Sequence, residues 1–165
     1  LRISDRVADP FVATWFALVH PLRDALERGL VKEVWPQVSA LLARLIPLAV
    51  EPVVRELARS SLADRVGYPI VHAGRQWGGT GEFDVVLLDE RRTEAWVMEV
   101  KWGARPHPAA VLADLRRRVA ADAALSSLRC CCAVLSRAGY SGVITREDRA
   151  YLLRPEDLVQ ARGRG

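Results

Sequence analysis

Cysteine is scarce in this chain and badly spaced for its usual structural roles. The three present, Cys130, Cys131 and Cys132, are consecutive, and neighbours on an extended strand point to opposite faces, so they make poor disulfide partners. They also lack the paired spacing of a zinc site, which leaves them as small apolar residues of a buried strand and favours a reducing, cytoplasmic compartment. Histidine is equally thin: His20, His72 and His107 have no partner spacing for metal or triad chemistry. No unbroken apolar run reaches the length of a membrane span, since the longest, around residues 41–54, is interrupted by Arg44, Pro47, Glu51 and Pro52. A basic-then-apolar leader with a small-residue cleavage site is missing, so nothing at the N-terminus argues for export. There is no G-x-x-x-x-G-K-[ST] run, hence no expected ATP site, and no internal repeat.

What is present fits a soluble globular protein. The 165 residues are 50% hydrophobic and 27% charged, enough for one sizeable core with a small helical appendage. The net charge of +4 permits an anionic partner without demanding one. The abrupt opening at Leu1 reads as a fragment of something longer. Asp9-Pro10 supplies a helix start, and Phe11, Trp15, Leu18, Val19 and Leu22 continue it at helical spacing to about Leu26, with Pro21 as a kink and Gly29 as the stop. From Val38 to Val66 the period is again helical, but Pro47 and Pro52 predict two helices or one broken helix, with Glu51 at the opening of the second piece. A carboxylate there is stabilised by the helix terminus whatever else it does.

From Pro69 the period changes to alternation. Strands are predicted over 70–77, 81–88 and 96–102, the first turn at Gly78 to Gly81 and the second at Asp89 to Thr93. A helix from Ala109 to about Leu125, a buried strand from Arg129 to Ser136, a short strand at Tyr151 to Leu153 and a helical turn at Pro155 to Val159 follow, before a disordered tail at 162–165. This order makes an α/β protein with a mixed sheet and helices on its faces. Trp15, Trp35 and Tyr140 are expected as core or interface anchors, and Arg116-Arg117-Arg118 as a solvated face.

Period-two alternation predicts that Glu82, Asp84 and Val86 share one face of their strand and that Glu99 and Lys101 share one face of the next. If the hairpin brings those faces together, Asp84, Glu99 and Lys101 converge at one end of the sheet. Asp84 and Glu99 are the expected ligands of Mg²⁺, with Mn²⁺ as the alternative, because magnesium takes hard oxygen ligands and needs only one or two protein carboxylates beside a substrate phosphate. Lys101 is the expected catalytic ammonium, orienting the attacking water or stabilising charge on phosphorus. Glu82 is expected at a solvated strand edge.

The Asp84, then Glu99-Val100-Lys101 arrangement in its helix-strand-strand-strand-helix-strand order resembles the PD-(D/E)xK phosphodiesterase superfamily. More closely, Gly74-Arg75-Gln76-Trp77, Glu82-Phe83-Asp84-Val85-Val86 and Met98-Glu99-Val100-Lys101-Trp102, with Asp9-Pro10-Phe11 before and Leu135 to Tyr140 after, resemble the nuclease-like domain of unknown function at the C-terminus of archaeal-type ATPases. The resemblance implies a restriction-endonuclease-like core over 41–161, preceded by a helical linker over 1–40 from an upstream ATPase or winged-helix region. It also implies Glu51 as a fourth catalytic residue, DNA as substrate and that ATPase module as partner; Arg75, Arg105 and Arg116 are the candidate contacts to a nucleic-acid backbone. A homo-oligomer is left open and no membrane is expected. The other reading is an inactive nuclease fold that binds nucleic acid or a partner and regulates the ATPase.

Overall fold

The computed structural model describes residues 10–78, 81–103 and 105–159. The expected N-cap Asp9, the turn residues Gly79 and Thr80 and the expected disordered tail lie outside them. The chain divides into two compact units, residues 1–49 and 50–165.

The first unit is helical. Helix α1 (Pro10–Thr14) passes through a widened turn at Trp15–Val19 and a tightened one at His20–Leu22 into α2 (Arg23–Glu27). The change of pitch falls around Pro21, which has no N–H to give to the helix ladder. Leu18 is buried, whereas Trp15 and Trp35 are exposed, so neither anchors this chain's core.

Helix α3 (Val31–Ser61) is continuous, which corrects the expected break at Pro47 and Pro52. A proline inside a helix forfeits one backbone hydrogen bond and clashes with the preceding turn, but the leucine- and alanine-rich turns on both sides keep the rest of the ladder. Two consequences follow. Glu51 stands in the helix interior, where terminal stabilisation does not apply. And α3 is long and apolar enough to cross a membrane by length and composition, with an 18-residue window of mean hydropathy 1.5, only 6% of it buried; counting the prolines as interruptions hid this in the sequence.

The second unit is built on a five-stranded mixed sheet in the order β1 (His72–Gly78), β2 (Gly81–Leu88), β3 (Glu94–Lys101), β4 (Arg129–Ser136) and β5 (Leu152–Leu153). The pairs β1/β2 and β2/β3 are antiparallel; β3/β4, joined through α5 (Pro108–Ala121), and β4/β5 are parallel. Gly67, with φ +82, ends the short helix α4 (Ala63–Val66) and turns the chain toward the sheet.

Each face of the sheet carries its own apolar layer. Val54, Ala58 and Leu62 of the α3 region pack with Val85, Leu87, Trp96, Met98, Ala133 and Leu135, closed by Leu158 of α6 (Pro155–Val159). Leu112, Leu115 and Val119 of α5 pack with Phe83, Val86, Ala95, Val97, Cys132 and Val134 on the opposite face. Cys132 is buried and its neighbours half-buried, as small apolar strand residues, and burial pushes the Cys130 and Cys132 thiols up to about 11. Tyr140 is an anchor: its hydroxyl donates to the Val134 carbonyl at 2.6 Å and accepts the Leu153 N–H at 3.0 Å.

The alternation of β2 is broken. Gly74 pairs with Val86 and Gln76 with Phe83, so one residue of β1, Arg75, opposes two of β2, Asp84 and Val85. This bulge resets the side-chain parity. Phe83 and Val86 therefore face α5 together, while Val85 and Leu87 face α3.

Candidate active site

The bulge decides which carboxylates meet. With Phe83 turned to the α5 side, Glu82 falls on the α3 side, and Asp84 leaves the face it would have shared with Val86. Glu51 stands one turn before Val54 and two before Ala58, on the stripe by which α3 packs on the sheet. The carboxylate oxygens of Glu51, Glu82 and Asp84 consequently lie within 4.8 Å of one another, and all three residues are half-buried. Glu82, expected at a solvated edge, belongs to this group. Its carboxylate is also paired with the Arg75 guanidinium of β1.

Asp84 also repairs the sheet at the bulge. Regular β2/β3 pairing begins only at Val85 with Met98, and the Asp84 carboxylate accepts the Val100 N–H at 2.8 Å. Arg55, one turn beyond Glu51 on α3, donates to the Asp84 carbonyl at 3.0 Å. Burial pushes the Asp84 carboxyl above the usual carboxylate value, and the charges of Glu99 and Glu51 add to the rise, while the Val100 N–H and Lys101 oppose it.

Glu99 and Lys101 keep the shared face predicted for them, but it is the α5 face, with Val97. There the Glu99 carboxylate accepts from Lys101 Nζ at 2.7 Å through one oxygen and from Arg118 at 2.6 Å through the other. Glu99 and Arg118 are largely buried, while Lys101 is more open. The structure thus divides the expected group: Asp84 joins Glu51 and Glu82 on the α3 side, while Glu99 and Lys101 pair with each other on the α5 side.

Arg118 corrects the expectation of a solvated arginine face. Arg116 and Arg117 are exposed, but Arg118 lies one turn beyond Leu115 on the side of α5 that meets the sheet. Besides Glu99 it bonds Asp114 at 2.9 Å and the Glu82 carbonyl at 2.7 Å, and its guanidinium lies 5.4 Å from the centre of the Phe83 ring. The signal in the sequence was the i,i+3 step from Leu115, which the triplet of arginines obscured. Of the expected nucleic-acid contacts, Arg75 is tied to Glu82; Arg105 is exposed and donates to the Ala138 carbonyl at 2.9 Å; Arg116 is exposed on α5 with its guanidinium 6.0 Å from the Tyr151 ring centre. A shallow cleft lined by Trp15, Val19, His20, Arg23, Leu26 and Glu27 lies in the first unit and holds none of these carboxylates.

Chemically, three clustered carboxylates form an all-oxygen donor set of the kind hard divalent cations take. The rise at Asp84 comes first from its burial, with the charges of Glu99 and Glu51 adding to it; the oxygen donors of Glu51, Glu82 and Asp84 are of the type Mg²⁺ takes. Of the nearby cations, Arg75 pairs with Glu82 of the cluster, while Lys101 and Arg118 pair with Glu99.

A family model described as archaea bacterial proteins of unknown function, DUF234, matches residues 15–111, more than half of the chain. The matched span carries Glu51, Glu82, Asp84, Glu99 and Lys101 and ends before Arg118. Neither a curated protein nor a solved structure matches.

Proposed function

The chain belongs to the DUF234 family, and from that premise we propose that it is a metal-dependent phosphodiesterase domain of the PD-(D/E)xK type acting on DNA. The observation that carries the reading is the convergence of Glu51, Glu82 and Asp84, with the Glu99–Lys101 pair on the neighbouring strand β3. Glu51, Glu82 and Asp84 would hold Mg²⁺ or Mn²⁺, which supplies charge neutralisation on a phosphate and acidifies a water. Lys101, oriented by Glu99, holds a proton-rich ammonium where an attacking water or a phosphate oxygen needs a donor. Arg75, Arg105 and Arg116 guide the phosphate backbone, each as a non-specific charge contact. In this reading residues 41–161 are a restriction-endonuclease-like core, residues 1–40 lead from an upstream ATPase module, and the three unpaired cysteines favour the cytoplasm.

Cleavage of plasmid and linear DNA in Mg²⁺ or Mn²⁺ tests the proposal. Wild-type cleavage should exceed that of Asp84→Asn, Glu99→Ala and Lys101→Ala by at least about a hundredfold, the usual scale for a positioned acid–base group. Wild-type turnover no greater than that of the three variants would sink it. A second reading, a non-catalytic module that binds nucleic acid and regulates the ATPase, is favoured by one observation: Glu99 and Glu82 already have cationic partners in Lys101, Arg118 and Arg75. Salt-dependent DNA binding that survives Asp84→Ala, without cation-dependent cleavage, selects it.

A further inference from the structure

The β2 bulge leaves Asp84 without a register partner in either neighbouring strand. Its carboxylate takes the Val100 N–H, and its carbonyl takes one N–H of Arg55 at 3.0 Å. That bond fixes the Arg55 guanidinium, one turn beyond Glu51 on α3, at the residue whose carboxylate joins Glu51 and Glu82. The other cations near the hairpin already have carboxylates: Arg75 has Glu82, and Lys101 and Arg118 share Glu99. Arg55 has none among the described residues, and the Asp84 carbonyl is its one hydrogen-bond partner there. A guanidinium carries five N–H donors in a planar fork, so most of them are left over. A half-buried cation held by a single neutral acceptor is under-satisfied. A phosphate answers it best, because its oxygens accept two parallel N–H bonds. The three carboxylates close by repel such an anion until a cation neutralises them.

We propose that Arg55 is a substrate-binding residue: its remaining N–H groups hold the DNA phosphate that faces a cation at Glu51, Glu82 and Asp84. This role rests on the cation site proposed above and concerns binding, not turnover. Anion binding at the site then needs both the cation, which removes the repulsion of the carboxylates, and the guanidinium, which supplies the fork. The contact differs from a charge contact to the wider backbone, since the Asp84 carbonyl holds the fork beside the cation ligands and so selects one phosphate.

Fluorescence anisotropy of a short labelled DNA duplex, titrated with the whole chain at fixed salt in Ca²⁺ and in EDTA, tests this; Ca²⁺ also takes oxygen ligands. Wild type should bind more tightly in Ca²⁺ than in EDTA. Arg55→Gln should weaken the Ca²⁺-dependent binding roughly tenfold or more, the scale of a hydrogen bond to a charged group. Its affinity for Ca²⁺ alone, followed by calorimetry, should be no lower than that of wild type, since a positive charge has been removed. Arg59→Gln deletes an exposed charge one turn further on, paired with Glu56, and should change both affinities little. Arg55→Lys keeps the charge and a donor for the Asp84 carbonyl but not the fork; it should lose DNA affinity severalfold, and serves if the glutamine variant does not fold. DNA binding in Ca²⁺ as tight in a folded Arg55 variant as in wild type, or an equal loss in Arg59→Gln, overturns the proposal. So does a loss of Ca²⁺ affinity in step with DNA affinity, which marks a bond that only holds α3 to β2. Failure of the underlying site looks different: wild-type DNA binding would then be equal in Ca²⁺ and EDTA or indifferent to Asp84→Asn, and the Arg55 role falls with it. Ca²⁺-dependent binding lost in Asp84→Asn but kept in both Arg55 variants removes the Arg55 role alone.

Discussion

Asp84 holds two positions at once, as a substitute for a missing ladder acceptor and as a member of a carboxylate cluster. Burial and the neighbouring charges of Glu99 and Glu51 raise its pKa, so the folded chain binds that proton more readily than the unfolded one. Its contribution to stability is therefore complete below the ordinary carboxylate range and is lost as the pH rises through the folded value. Asn keeps an oxygen for the Val100 N–H and carries no charge. Asp84→Asn should accordingly melt a few degrees above wild type at neutral pH, the gap closing as the pH falls below about 4. A variant that melts lower than wild type at neutral pH contradicts this account of the site.

At the scale of elements, α3 and the β2 bulge do most to place the site. The helix carries three prolines, and Pro52 is exposed directly after Glu51. Alanine there restores an N–H facing the Leu48 carbonyl and removes the ring clash. Pro52→Ala should stabilise the chain by about 1–3 kcal/mol, read by far-UV circular dichroism on melting. No change, or a loss, would show that the proline relieves some constraint on the Glu51 turn. The bulge has the opposite character, since it costs the sheet regular pairing and yields a carboxylate aimed at the Val100 N–H together with a second, Glu82, turned toward α3. Bulges often re-aim side chains beside active sites, and here one sends Asp84 and Glu99 to different faces.

For the whole molecule, a cation bound by the folded chain alone adds stability by mass action. At Mg²⁺ a hundredfold above its dissociation constant the gain is about 2.7 kcal/mol. Melting with and without Mg²⁺ should show this shift in wild type and lose it in Glu51→Gln, which removes the ligand contributed by α3. Protons compete for Asp84, so the shift should also shrink toward acid pH. Equal shifts in wild type and Glu51→Gln would place any bound Mg²⁺ elsewhere.

The sequence by itself determined the kind and order of the elements. Apolar period, prolines and glycines act locally, so the strand Arg129–Ser136 and the helix that precedes it could be read directly, as could the shared face of Glu99 and Lys101. Asp84, Glu99 and Lys101 stood out as candidate site residues because charge in an apolar strand is costly without a partner. Only the tertiary structure decided the rest. Strict alternation cannot register a residue inserted against a neighbouring strand, so the β2 bulge and the arrival of Glu82 beside Asp84 depend on β1. The continuity of α3, against its prolines, put Glu51 over that bulge. The pairing of Arg118 with Glu99 required a helix and a strand to pack face to face, and no local period encodes which of three adjacent arginines will meet the sheet.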